Sequence, residues 1–320
     1  MKSINKYFLK ISIYGVFFIA FYFLWKILFD NWNKIKDYEY TLNFYYLTLS
    51  VLVLMWGQIY LALVWRKLLI VLDAKIIFPR LLAVKIYTEA LLSRYAPGKV
   101  WSIVNKIYLC RNLGYSKKDL FISSLYDNVL SLLTTAVLGI VLLALSLGNG
   151  INKNYYILSL IMIGGIILTI YPKIFYSAFN FCLKRIKREG VSDFDQLTHK
   201  ELIIFFLYYF ASSVLRMSAF FFLAKSVVDV GYDLFPIIVG AYSMATAIGV
   251  VIIFLPGGIG AKEGAIVFLL KSVIPTTTAV IISIFARLWQ EFAIILLFFI
   301  TWGINYFKNK YKKKTIDSSE

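Results

Sequence analysis

Apolar residues run along this chain in blocks of helix length, separated by short polar and mostly basic stretches. The blocks at 8–29, 41–65, 119–147, 155–179, 201–225 and 278–306 each hold about the 20 apolar residues that cross ~30 Å of hydrocarbon as a helix. They predict six full spans. The first is longer than the apolar stretch of a signal peptide and no Ala-x-Ala cleavage site follows it, so it too is expected to be a span. Two further apolar stretches are interrupted. One starts at Phe78-Pro79 and breaks at Pro97-Gly98-Lys99; the other starts at Phe235-Pro236 and breaks at Pro256-Gly257-Gly258. The prolines are 18 residues apart in the first copy and 20 in the second, and an ionisable residue follows within the next apolar block, Asp127 in one and Arg287 in the other.

Two Gly/Pro-interrupted apolar segments, one in each half of a membrane protein, point to a binding site near the bilayer midplane in a transporter-type fold. Residues 236–255 are long enough to cross, but the returning piece, 264–271, is too short at about 1.5 Å per residue. A re-entrant hairpin accommodates both. Residues 79–109 are less apolar and carry Arg80, Lys85, Glu89, Arg94, Lys99 and Lys106. They predict the matching hairpin from the opposite side, lying against protein or water, because irregular backbone at membrane depth is tolerated only there. The expected architecture is an all-α polytopic membrane protein with about six full spans plus two re-entrant broken-helix hairpins arranged as an inverted repeat. It would form a single membrane domain over 1–320, with repeats at 41–147 and 201–306, a cytoplasmic loop at 184–200 and a basic cytoplasmic tail at 308–320.

Composition agrees: 60% hydrophobic and 18% aromatic residues, at a mean hydropathy of +0.76, exclude a water-soluble globule. The net charge of +17 raises a nucleic-acid reading, which the placement of the charge removes. With a cytoplasmic N-terminus, 25 of the 34 Lys and Arg fall on the cytoplasmic side, and only Lys34, Lys36, Lys153 and Lys225 fall in outer loops. The positive-inside rule then predicts a multi-pass plasma-membrane protein with both termini in the cytoplasm. The basic excess is suited to anionic lipid, and no nucleic-acid partner is expected. Cys110 and Cys182 form no CxxC motif, and His199 is the only histidine and falls in the basic loop. No disulfide, metal site or cofactor is expected.

The candidate chemistry lies at the two breaks and at the charges inside the spans. Gly257-Gly258-Ile259-Gly260-Ala261-Lys262-Glu263 fails as a phosphate-binding loop, because Glu263 stands where Ser or Thr is required. It reads instead as a helix break. Glu263 suits the N-terminal end of the next helix, and Lys262 with the free N–H groups after Gly260 suits an anionic headgroup. Pro97-Gly98-Lys99 offers a second half-helix start, although a lysine near a helix end also snorkels to the surface. Arg216 stands within an apolar span with no carboxylate three or four residues away, and so needs a distant partner or a watery cavity. Lys85 with Glu89, and Arg287 with Glu291, are four apart and suit neutralisation on one helix face. Asp127 has no such neighbour; a pair with Arg287 across the pseudo-two-fold axis would be a structural lock or a proton-linked switch. Ser212, Ser213, Ser243 and Thr246 either line a polar path or bond their own helix backbone. No hydrolase triad, metal-ligand cluster or nucleotide fingerprint is present, and no catalytic residue is assigned.

Arg94-Tyr95-Ala96-Pro97-Gly98-Lys99-Val100-Trp101 and Leu255-Pro256-Gly257-Gly258-Ile259-Gly260-Ala261-Lys262-Glu263-Gly264 resemble the two signatures of the lysylphosphatidylglycerol synthase transmembrane, or flippase-like, family. The likeness extends over most of the chain and includes Leu125-Tyr126-Asp127. Tyr126 departs from the charged pair that the family often has there, and Lys262 stands where many relatives carry Arg. Members with a cytosolic synthase domain transfer an amino acid from aminoacyl-tRNA to phosphatidylglycerol, and their membrane part is thought to move the product outward. The resemblance implies the translocating half alone: a flippase-like transporter of an anionic lipid, either a polyprenyl-phosphate-linked sugar or a phospholipid. Arg94, Lys99, Arg216, Lys262 and Glu263 would bind the headgroup. Glu89, Asp127, Arg287 and Glu291 would be intramembrane charges around the breaks at Pro97, Gly98, Pro256, Gly257, Gly258 and Gly260. Two alternatives stay open. One is a membrane-embedded enzyme or accessory subunit of lipid-linked glycan synthesis, using Glu89, Asp127 or Glu263 as acid or base. The other is a non-transporting assembly partner of a glycosyltransferase or another envelope-synthesis protein.

Overall fold

A computed structural model describes residues 42–72, 77–93, 101–146, 197–251 and 260–317. Among these, every regular element is helical: α1 (Phe44–Leu72), α2 (Arg80–Leu92), α3 (Trp101–Cys110), α4 (Lys117–Ser146), α5 (His199–Val227), α6 (Phe235–Val251), α7 (Ala261–Leu270) and α8 (Thr276–Asp317), with 3-10 turns at Arg111–Leu113 and Tyr232–Leu234. Four of the expected spans are α1, α4, α5 and α8. Each is long and apolar enough to cross a membrane, as is Tyr232–Val250, which contains α6. The expected spans at 8–29 and 155–179 lie outside the described residues. The last helix does not stop near 306 but continues through the Lys-rich segment to Asp317, since Lys is a good helix former. His199, expected in a loop, is the first residue of α5.

Helix starts follow local chemistry. Pro79 sits at the N-cap of α2, Pro236 in the first turn of α6 and Pro275 just before α8, where a missing N–H costs nothing and the fixed φ suits the helix. The start of α5 is a capping box. Glu201 N–H donates to Thr198 Oγ1 at 3.3 Å, and Thr198 N–H donates to the Glu201 carboxylate at 2.8 Å. The phenylalanine of each Phe-Pro pair packs the start of its helix against the preceding span. Phe78 packs edge-on against Trp65 of α1 with ring centroids 6.4 Å apart, and Phe235 against Phe221 of α5 at 5.1 Å.

Packing then sets the frame of the site. The most extensive contact is α1 on α5; α4 packs on α6, α2 on α8, and the short α3 and α7 each pack on the helix before and the helix after. Exchanging α1 with α5, α2 with α6, α3 with α7 and α4 with α8 turns each of these contacts into another of the set. Crossing α4 and α6 requires small residues. A Cβ on Gly139 would lie 2.9 Å from the Met244 nitrogen, and one on Gly240 would lie 3.0 Å from the Leu143 nitrogen. The apolar core includes Trp65, Leu68, Leu69, Phe220 and Phe221, all with no exposed surface.

Candidate functional site

Between the helices lies a cavity of about 260 Å³, and all eight contribute to its wall. Its ionisable lining is Asp127, Arg216, Lys262, Glu263, Arg287 and Glu291, set among Gln58, Asn128, Ser131, Thr135, Thr246, Ser283 and Gln290. Charges and neutral amides that face one another inside an apolar bundle mark a functional pathway, because burying them without use is costly.

Arg216 is delivered by α5 at a point where α1 gives way. Gly57 has no side chain there, and a Cβ on it would lie 2.6 Å from Arg216 Cγ. The guanidinium donates to hydroxyls: Nε to Ser212 Oγ at 3.3 Å, and Nη2 to Ser131 Oγ at 3.2 Å and Ser213 Oγ at 3.4 Å. Ser213 in turn is bonded to Thr134 and Thr135 at 3.0 and 3.1 Å, which fixes its position. Among the described residues no carboxylate pairs with Arg216, so hydroxyls orient its charge and do not neutralise it. Gln58, 6% exposed, also lines the cavity, and its Oε1 has no hydrogen-bond partner among the described residues.

Lys262 enters from the first turn of α7, packed over Gly249 of α6. Its Nζ donates to Tyr242 OH at 3.0 Å and Gln290 Oε1 at 2.9 Å and lies 4.3 Å from the centre of the Tyr242 ring. Tyr242 is held flat against Phe220, ring centroids 4.0 Å apart. The adjacent Glu263 has two partners. Its Oε2 accepts the Gly260 N–H at 2.8 Å, capping α7, and its Oε1 accepts from Arg287 Nη1 of α8 at 2.9 Å. Gly260 has φ of +85°, which places its N–H for that bond and favours glycine.

The first half holds a counterpart with reversed signs. Lys106 of α3 donates to Asp127 of α4 at 2.6 Å, and the pair is almost fully buried. Tyr209 OH donates to Asp127 at 2.8 Å and Tyr87 OH at 3.1 Å, while the ammonium rests 4.1 Å from the Tyr87 ring centre and 4.7 Å from that of Trp65. A carboxylate with this many donors is well solvated by protein and stays where it is.

The model of the lysylphosphatidylglycerol synthase TM region matches residues 11–298. The chain belongs to that family. Membership makes it a membrane protein related to lipid handling. No curated protein matches the chain, and no solved structure does.

The site residues expected from the sequence divide three ways. Arg94, Pro97, Gly98, Lys99, Pro256, Gly257 and Gly258 lie outside the described residues. Arg216, Lys262, Glu263, Asp127, Arg287 and Glu291 are brought together around the cavity, and Glu89 pairs with Lys85 at 3.7 Å as its spacing predicted. The pairing of Asp127 with Arg287 is corrected: Asp127 takes Lys106 and Arg287 takes Glu263. Each span turns its charge to the short helix just before it, which is closer along the chain. Among the hydroxyls, Ser243 bonds its own helix at Val239 O, while Ser212 and Ser213 serve Arg216. Sequence reasoning named Lys106 among the charges of residues 79–109 without giving it a role, and missed Tyr87, Tyr209, Tyr242, Gln58 and Gln290. Lys106 could have been singled out, as a lone cation in the apolar decamer Trp101–Cys110. The others become visible only once the helices are packed.

Proposed function

We propose that this protein is a flippase-like transporter that moves an anionic lipid across the plasma membrane, with the phosphate headgroup passing through the cavity at Arg216 and Lys262. The observation that carries this reading is Arg216. It is a guanidinium inside a span, turned into a polar cavity by three serine hydroxyls, with no carboxylate on it among the described residues. A cation kept there needs an anion to justify its desolvation, and the planar guanidinium fork matches phosphate oxygens. Lys262, steered by Tyr242 and Gln290, adds a second positive group to the same cavity. At about 260 Å³ the cavity has the volume of a headgroup rather than of a whole lipid, so the acyl or prenyl chains stay in the bilayer while the headgroup crosses. A polyprenyl-phosphate-linked sugar or a phospholipid meets that description. The two halves act as an inverted repeat and rock about the site to expose it to either side, with both termini cytoplasmic.

The test is reconstitution in liposomes with fluorescent phosphatidylglycerol and polyprenyl-phosphate-sugar probes. Wild type is expected to scramble or pump one probe, and Arg216→Ala and Lys262→Ala to fall to the rate of empty liposomes while the protein stays folded. Transport at wild-type rate in both variants would remove this site assignment.

A further inference from the structure

The two ion pairs occupy corresponding places in the two halves, each joining a short helix, α3 or α7, to the span after it, yet they are embedded differently. Lys106 and Asp127 are almost fully buried, with side chains 5% and 4% exposed, and Asp127 accepts from two tyrosines besides the lysine. Lys106 does not face the cavity. Glu263 and Arg287 both face it, and the Glu263 side chain is 19% exposed. Glu263 also has a second role that does not need Arg287, because its other oxygen caps the Gly260 N–H. Releasing Arg287 therefore leaves the carboxylate one good hydrogen bond and access to the polar cavity. Asp127 also lines the cavity, but Lys106 does not, and releasing Lys106 would leave its ammonium buried with the Tyr87 and Trp65 rings beside it.

Arg287 lines the same cavity as Arg216 and Lys262 and is joined there to a carboxylate. A carboxylate in a bond with a guanidinium has the geometry and charge of a phosphate oxygen pair in the same bond. We propose that Arg287 is a third cation of the anion site, and that Glu263 is a built-in competitor that the phosphate group of the ligand displaces from it. The exchange rests on the reading that the cavity takes an anionic headgroup, and not on whether that headgroup is moved. Its consequence is that binding releases one of the polar ties between the start of α7 and α8, while the bond from Lys262 Nζ to Gln290 remains. One ion pair of the fold thus becomes responsive to ligand, while its sign-reversed counterpart in the other half holds fast.

Binding is measured on the full chain in detergent micelles by thermophoresis, with short-chain phosphatidylglycerol, farnesyl phosphate and inorganic phosphate as three separate probes. Removing the competitor with Glu263→Gln keeps the size of the side chain and an acceptor for the Gly260 N–H. It is expected to tighten binding of at least one probe by about tenfold. Arg287→Gln is expected to weaken the same probe by about tenfold, and the double variant to bind as poorly as Arg287→Gln alone. A lipid probe that responds when inorganic phosphate does not makes the ligand a lipid headgroup; the reverse makes it free phosphate, and either outcome supports the exchange. Wild type that binds a probe while Glu263→Gln binds it no more tightly overturns the exchange alone. No binding of any probe by wild type overturns the anion site with it. Where Arg287→Gln fails to fold, Glu263→Gln decides alone. Glu263→Asp adds a check: shortened by one methylene, it loosens its hold on Arg287 and should fall between wild type and Glu263→Gln.

Discussion

At the scale of single residues, the charges of this protein differ in what their neighbours allow them to do. Lys106 and Asp127 are locked by burial and by the hydroxyls of Tyr87 and Tyr209. Removing one partner of such a pair strands the other in a medium that cannot solvate it. Lys106→Met is therefore expected to cost about 3–5 kcal/mol of stability. The double variant Lys106→Met with Asp127→Asn should recover much of that, because no charge is left unmatched. Thermal unfolding of the single and double variants in detergent checks this, and a double variant less stable than both singles would refute it. The same residues show where sequence reasoning stops. Asp127 and Arg287 stood out as ionisable groups at nearly equivalent offsets from the two prolines, and that much was legible. Their partners were not, because a partner 21 or 24 residues away on a separate short helix leaves no spacing rule to follow. Arg216 was legible as a problem, a cation with nothing near it. Its solution depends on the empty space at Gly57 and on serines from two helices.

Elements were easier to foresee, since their ends are written in local chemistry. The apolar blocks became α1, α4, α5 and α8, and Phe78-Pro79 and Phe235-Pro236 open helices as the restricted φ of proline suggests. How these elements cross was hidden, because a glycine in an apolar helix looks alike whether it faces lipid or another backbone. The structure separates the two cases. At Gly139 an added methyl group would meet the Met244 backbone nitrogen at 2.9 Å, so α4 and α6 would have to move apart, whereas at Gly303 of α8 there is nothing within 4 Å. Gly139→Ala is expected to destabilise by about 1–3 kcal/mol, the usual cost of overpacking. Gly303→Ala should be neutral, or gain up to about 1 kcal/mol from better helix propensity. Melting temperatures of the two variants measured side by side test this. Equal losses would mean that the α4–α6 crossing does not depend on the glycine.

For the molecule as a whole, the question is whether its two halves face opposite sides of the membrane. Packing alone does not decide it. The exchange of α1–α4 with α5–α8 preserves the helix contacts, and a repeat related by an axis in the membrane plane does so with opposite insertion of the two hairpins. Charge supplies the missing direction. Arg66, Lys67, Arg80 and Lys85 crowd the entry to α2, whereas Lys225, Asp229 and Asp233 at the entry to α6 nearly balance. The positive-inside rule therefore predicts a cytoplasmic first entry and an outside second entry. Two exposed positions report on this directly: Arg80, at the first residue of α2, and Tyr232, 62% exposed just before α6. In a background with Cys110 and Cys182 replaced by Ser, Arg80→Cys should react with a membrane-impermeant maleimide only in inside-out vesicles. Tyr232→Cys should react only in intact cells. Labelling of both from one side would place the hairpins in parallel, and would leave a rocking motion about the cavity without the symmetry that makes its two end states equivalent.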